Sequence, residues 1–70
     1  MPFPIILEII PSGYNGWDLS KAKTITFHNK MKAEFFSLYY TKKNDCLVRY
    51  YTGGLWLATY CKGKQIWNCF

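Results

Sequence analysis

Gly54-Leu55-Trp56-Leu57-Ala58-Thr59-Tyr60-Cys61-Lys62-Gly63-Lys64-Gln65-Ile66-Trp67-Asn68-Cys69-Phe70 holds two aromatic and aliphatic runs separated by Gly63-Lys64. Such runs around a short glycine-containing turn read as a β-hairpin, and glycine at the first central position suits a two-residue type II′ turn. That turn sets a register: Cys61 faces Ile66, Tyr60 faces Trp67, Thr59 faces Asn68 and Ala58 faces Cys69.

Immediately upstream, Leu47-Val48-Arg49-Tyr50-Tyr51-Thr52 is a strand by composition, and Gly53-Gly54 is a favoured hairpin turn. Carried through this turn, the register pairs Thr52 with Leu55, Tyr51 with Trp56, Tyr50 with Leu57, Arg49 with Ala58, Val48 with Thr59 and Leu47 with Tyr60. Two faces result. Val48, Tyr50, Leu55, Leu57, Thr59, Cys61, Ile66 and Phe70 form one without a charge; Arg49, Tyr51, Trp56, Tyr60, Lys62, Gln65 and Trp67 form the other. A helix covering this meander should cover the uncharged face and leave the Arg and aromatic face open. The same register sets Cys46 across from Cys61.

Pro4 to Ile10 is an apolar, β-branched run of strand length, and Pro11-Ser12-Gly13-Tyr14-Asn15-Gly16 reads as a surface loop. Trp17 reads as a plug on the core edge. Asp18 and Ser20 offer caps, but Lys23-Thr24-Ile25-Thr26-Phe27-His28 alternates with period two, so a strand is expected with Ile25 and Phe27 inward. His28 points away and reads as a solvated residue.

From Asn29, an N-cap, Met31, Phe35, Leu38 and Tyr39 recur at helical spacing on one side, and Lys42 and Lys43 complement the dipole of the last turn. Asn44 suits a left-handed C-terminal position. The expected fold is α+β: a five-stranded antiparallel sheet with one helix on one face, in the order ββαβββ, as a single domain over residues 1–70. The alternative makes residues 35–41 a strand and gives an all-β six-stranded meander.

Seventy residues with 50% hydrophobic and 20% aromatic content suit one packed domain and leave little room for an elaborate active site. Nine Lys and Arg against four acids give a net charge of +5, which favours anionic partners. Residues 1–8, broken by Pro4 and Glu8, lack the basic n-region of a signal peptide and are too short to span a membrane. With three cysteines, an odd number without CxxC spacing, the chain is expected in the cytoplasm with reduced thiols and no bound metal. One histidine and four scattered acids, Glu8, Asp18, Glu34 and Asp45, supply no catalytic constellation. A non-enzyme without cofactor is expected.

The candidate binding residues are therefore Arg49, Tyr51, Trp56, Tyr60 and Trp67 on the open face, with Lys30, Lys32, Lys42 and Lys43 at the helix ends. Aromatic and Arg residues dominate protein interfaces, and the same types stack single-stranded nucleic acid. The competing reading is a second small core, with Arg49 stacked on Trp56 or paired with a nearby acid.

Gly54-Leu55-Trp56-Leu57-Ala58, then Gly63-Lys64, then Cys69 resembles the C-terminal hairpin of the small phage-encoded type I-F anti-CRISPR proteins with a ββαβββ fold. The resemblance in identity covers about the last quarter of the chain; the rest agrees in the order and length of its elements. It implies an inhibitor that docks on the backbone subunits of a crRNA-guided surveillance complex and sterically blocks target DNA. Members of that family use basic helix residues and a lysine on the open sheet face. Here Tyr60 stands at the sheet position, Phe35, Phe36 and Leu38 occupy the helix, and Lys30, Lys32, Lys42 and Lys43 carry the charge. Two other functions remain open: a direct nucleic-acid binder using the aromatic face, and an accessory phage protein that self-associates through a sheet edge. The chain is expected to be a monomer or weak dimer.

Overall fold

The structure, a computed structural model, describes residues 3–14 and 16–68. In chain order the elements are β1 (Ile5–Gly13), β2 (Gly16–Trp17), a 3-10 turn (Leu19–Lys21), β3 (Lys23–Phe27), α1 (Lys30–Lys43), β4 (Cys46–Thr52), β5 (Leu55–Cys61) and β6 (Lys64–Asn68). All pairings are antiparallel. The α+β fold with one helix on an antiparallel sheet is thus observed, and the all-β alternative is set aside.

Strand β1 is central. It pairs with β4 on one side and with β3 on the other, and β5 and β6 follow β4 outward. Ile5, Leu7 and Ile9 alternate onto one face and are buried, which is the period-two pattern of a strand packed on one side. The expected loop at residues 11–16 is partly strand instead. β1 runs on to Gly13, and Ser12 and Gly13 pair with Trp17 and Gly16 of β2, the sixth strand. The Pro11 carbonyl accepts from the Asp18 amide at 2.8 Å, and the Ser12 amide donates to the Asp45 carbonyl at 3.1 Å, so the extension is hydrogen-bonded at its base. Trp17 does not plug the core; it stays 43% exposed on this short arm. Asp18 caps the 3-10 turn, and the Ser20 hydroxyl and amide hold its carboxyl below the ordinary range.

Helix α1 begins as expected, with the Asn29 side chain accepting from the Lys32 amide at 3.1 Å. At its other end Asn44 is extended, with φ −127°, not left-handed; its side-chain amide and its backbone N–H both donate to the Tyr40 carbonyl. The larger difference is rotational. The residues turned onto the sheet are Ala33, Ser37 and Thr41, all buried, while Met31, Phe35 and Tyr39 face solvent. The sheet explains this. Tyr50 and Tyr60 rise from it into the core, and a helix above such bulk approaches closely only through small side chains. The two buried hydroxyls are satisfied within the helix: Ser37 Oγ donates to the Ala33 carbonyl at 2.8 Å, and Thr41 Oγ1 to the Ser37 carbonyl at 2.7 Å. Phe36 and Tyr40 lie at the flank, where Phe36 packs on Phe27 of β3 at 5.4 Å and on Tyr40 at 5.0 Å.

Both hairpins form, with one slip in each and the second turn displaced by one residue. Gly53-Gly54 is the expected turn, with φ 59° and 78°, and Thr52 pairs with Leu55 and Tyr51 with Trp56. Positive φ at both central residues is the type I′ geometry. Beyond Trp56 the register slips at Leu57, so Tyr50 pairs with Ala58, Arg49 with Thr59, Val48 with Tyr60 and Leu47 with Cys61. The second turn is centred on Lys62-Gly63, φ 53° and 75°, one residue earlier than expected and again type I′. Cys61 pairs with Lys64 and Tyr60 with Gln65; a second irregularity at Ile66 then brings Trp67 opposite Thr59 and Asn68 opposite Ala58. The expected pairing of Ala58 with Cys69 is thus replaced by one with Asn68, because the displaced turn and the slip at Ile66 together shift β6 by one residue; the place of Phe70 lies outside the described residues.

These slips exchange residues between faces. Ala58 and Tyr60 move under the helix, Thr59 moves to the opposite face, and Leu55 and Ile66, expected to be covered, are 64% and 59% exposed. Cys61 now lies opposite Leu47, and Cys46 opposite Pro11. Neighbours along a strand point to opposite faces, so the two thiols are not partners across the sheet. Both are free, and burial pushes the Cys46 thiol above its ordinary value.

Candidate functional site

On the face away from the helix, β1, β4, β5 and β6 bring Glu8, Arg49, Tyr51, Trp56, Thr59 and Trp67 together. Arg49 stands directly opposite Glu8, with Nη1 3.5 Å from Oε1, and the Tyr51 hydroxyl donates to the same oxygen at 3.2 Å. The guanidinium carbon lies 4.9 Å from the centre of the Trp56 ring. Trp56 leans on Trp67, centroid to centroid 4.7 Å at 41°. Its indole N–H donates to Thr59 Oγ1 at 2.9 Å and to the Ala58 carbonyl at 3.1 Å. This contact depends on the bulge: residues three apart share a face only if one extra residue is inserted between them.

Four of the expected open-face residues therefore do form a cluster, but its chemistry is largely internal. The Arg49 charge is answered by Glu8 and by a cation–π contact, while its Nε is enclosed without a hydrogen-bond partner. Trp56 and Trp67 touch each other and leave no slot for a base between them. Each retains 43% exposure, so an outer aromatic rim remains. Tyr60 is not part of this surface. It is 2% exposed and lies in the core beneath the helix, because the Leu57 bulge reverses its side; burial pushes its phenol up, while Gln65 Nε2 lies 3.4 Å from its oxygen.

The helix ends lie on the other side of the sheet, so the expected binding set is divided between two surfaces. Lys30, Lys32, Lys42 and Lys43 are all exposed. Between them runs the feature that sequence reading turned inward: Met31, Phe35 and Tyr39 are 66%, 66% and 65% exposed. A shallow hollow of 240 Å³ lined by Met31, Glu34, Phe35 and Leu38 borders this ridge. Lys43 Nζ lies 5.6 Å over the Tyr39 ring. At the C-terminal end, Lys42 and Lys43 meet Lys62 of the last hairpin turn around a hollow of 260 Å³ that also includes Asp45 and Cys46. The signal for the ridge was present as a competition between two stripes spaced by four, Ala33-Ser37-Thr41 and Met31-Phe35-Tyr39. Periodicity alone does not rank them.

Among the described residues no three His, Cys, Asp or Glu side chains gather as metal ligands, and no helix is long and apolar enough to cross a membrane. The fold and these surfaces define a small α+β domain with an aromatic sheet face and an apolar, lysine-flanked helix ridge. No family model matches the chain, no curated protein matches it, and no solved structure matches it.

Proposed function

We propose that this protein is a non-catalytic inhibitor that binds an acidic protein surface through the outward face of α1. The observation that carries the reading is the exposure of Met31, Phe35 and Tyr39 between Lys32, Lys42 and Lys43. Large apolar side chains supply contact area, and flanking cations favour an acidic rim and hasten encounter. The tail resemblance supplies the partner: the backbone subunits of a type I-F crRNA-guided surveillance complex. Bound there, the domain blocks target DNA sterically, as a phage protein acting in the host cytoplasm. The sheet-face cluster is a secondary contact in this reading, since Glu8 already engages Arg49 and Tyr51.

The test uses purified type I-F surveillance complex and labelled target DNA. Wild-type protein lowers DNA binding in a dose-dependent way, and Phe35→Ser with Tyr39→Ser removes the effect while circular dichroism is unchanged. Failure of the wild-type protein to bind the complex overturns the reading.

A second reading, direct nucleic-acid binding, is favoured by Lys42, Lys43 and Lys62 around one hollow. It requires oligonucleotide affinity that falls steeply with salt. A flat titration at low salt removes it.

A further inference from the structure

We propose that the free edge of β3 is a self-association surface, on which a second copy of this chain pairs antiparallel through Lys23–Phe27 about a two-fold axis at Ile25. The described sheet ends in two long edges, β3 and β6. Strand β3 contacts β1 on one side and α1 at its flank, and Lys23, Thr24, Ile25 and Thr26 are exposed. Every second residue of an edge strand turns its N–H and C=O outward, which makes a template for another strand unless the edge is guarded.

The two edges are guarded differently. Both edges begin with a lysine, Lys23 in β3 and Lys64 in β6, but β6 also carries an irregularity at Ile66 that breaks its register. Bulges and edge lysines are the usual protection. β3 pairs with β1 without a break from Ile5–Phe27 to Ile9–Lys23, has no proline, and carries no charge after Lys23. Its β-branched centre, Thr24-Ile25-Thr26, favours pairing on either side.

The charge pattern selects the partner and the register. With the axis at Ile25, Lys23 meets Phe27 of the other copy, Thr24 meets Thr26, and Ile25 meets itself. The two lysines then stand about 14 Å apart along the strands, beyond the screening length of about 10 Å at moderate salt. Ile25, 37% exposed on the helix side beside Leu7, gains an apolar neighbour. The same two-fold closes the pair, whereas β3-to-β6 pairing would be head-to-tail and open-ended. It also keeps both helices on one side of a continuous sheet, presenting two Met31-Phe35-Tyr39 ridges in the same direction. An edge of five residues is short, about 17 Å, so the pair is concentration-dependent.

Sedimentation equilibrium of the full chain over a wide concentration range tests this. The wild type is expected to move from 8.3 kDa toward twice that mass. Ile25→Lys, which places two lysines on the axis, holds the monomer mass with an unchanged circular dichroism spectrum. Ile25→Cys, oxidised, gives a reducible dimer that the wild type with its native thiols does not give; this readout stands even if Ile25→Lys fails to fold. A wild type that stays monomeric throughout overturns the proposal. So does a dimer that is lost on Phe35→Ser and kept on Ile25→Lys, which would place the contact on the helix ridge.

Discussion

The Trp56 indole N–H donates to Thr59 Oγ1 at 2.9 Å, spanning the residue at which β5 slips against β4. This one bond ties the aromatic rim to the register of the whole hairpin, because Tyr60 is in the core only when Thr59 is on the opposite face. Thr59→Val keeps the shape and removes the acceptor, so it is expected to cost about 1 kcal/mol. The residual bond from Trp56 to the Ala58 carbonyl sets the limit on that loss. Urea unfolding of Thr59→Val beside Thr59→Ser, which retains the hydroxyl, measures it; equal losses in both would remove the role assigned to the bond.

The β5–β6 turn is held by the helix. The Gly63 N–H donates to Thr41 Oγ1 at 3.0 Å, and a Cβ on Gly63 would stand 3.1 Å from Lys42 Cβ at φ +75°. Gly63→Ala should therefore lower stability by more than about 1 kcal/mol. Lys62 occupies the left-handed region at φ 53° without being glycine, so Lys62→Asn should raise stability by roughly 0.5 kcal/mol. Opposite shifts in thermal midpoint for the two variants are the expected result.

On α1 the order of sensitivity is the reverse of what residue size suggests. Phe35→Ser changes an exposed position and should leave stability within about 0.5 kcal/mol. Ser37→Leu adds bulk where the helix meets Tyr50 and Tyr60 and should cost about 1 to 3 kcal/mol. Chemical denaturation of both variants decides whether the small stripe is the packed one.

Stability should fall on the alkaline side. Burial raises the Cys46 thiol above 9.0 and the Tyr50 and Tyr60 phenols above 10.0, the values ordinary for these groups. Protons are therefore held more tightly in the folded chain, and above these values the unfolded chain binds fewer. The unfolding free energy then declines as pH rises, beginning near 9.0 for the thiol and 10.0 for the phenols, and is unaffected by these groups at neutral pH. Unfolding series at pH 7, 9 and 10.5 test the decline, and Tyr60→Phe should flatten its upper part.

The Glu8–Arg49 pair is only partly buried, with side chains 26% and 28% accessible, so solvent screening limits its worth. Glu8→Gln should cost about 1 kcal/mol or less, since the amide oxygen still accepts from Tyr51. A thermal midpoint that drops markedly more at low than at high salt would be the signature of the charge; a loss independent of salt would point to packing instead.

Local chemistry determined much of this protein. Alternation marked Lys23 to Phe27 as a strand, Asn29 marked the start of the helix, and Gly53-Gly54 fixed the first hairpin turn; these depend on backbone geometry within a few residues. Arg49, Tyr51 and Trp56 also fell on one face as their spacing required, whereas Trp67 joins them only because the displaced turn and the slips at Leu57 and Ile66 offset one another. Three things needed the tertiary structure. Which stripe of α1 is buried was decided by the bulk of Tyr50 and Tyr60 beneath it, and neither tyrosine is on the helix. The turn settled on Lys62-Gly63 instead of Gly63-Lys64 where Thr41 receives the Gly63 amide, a contact between residues 22 apart. The side taken by Tyr60 was decided by a single inserted residue at Leu57. Period two carries no record of such a slip, and one residue of displacement turns every later side chain to the other face.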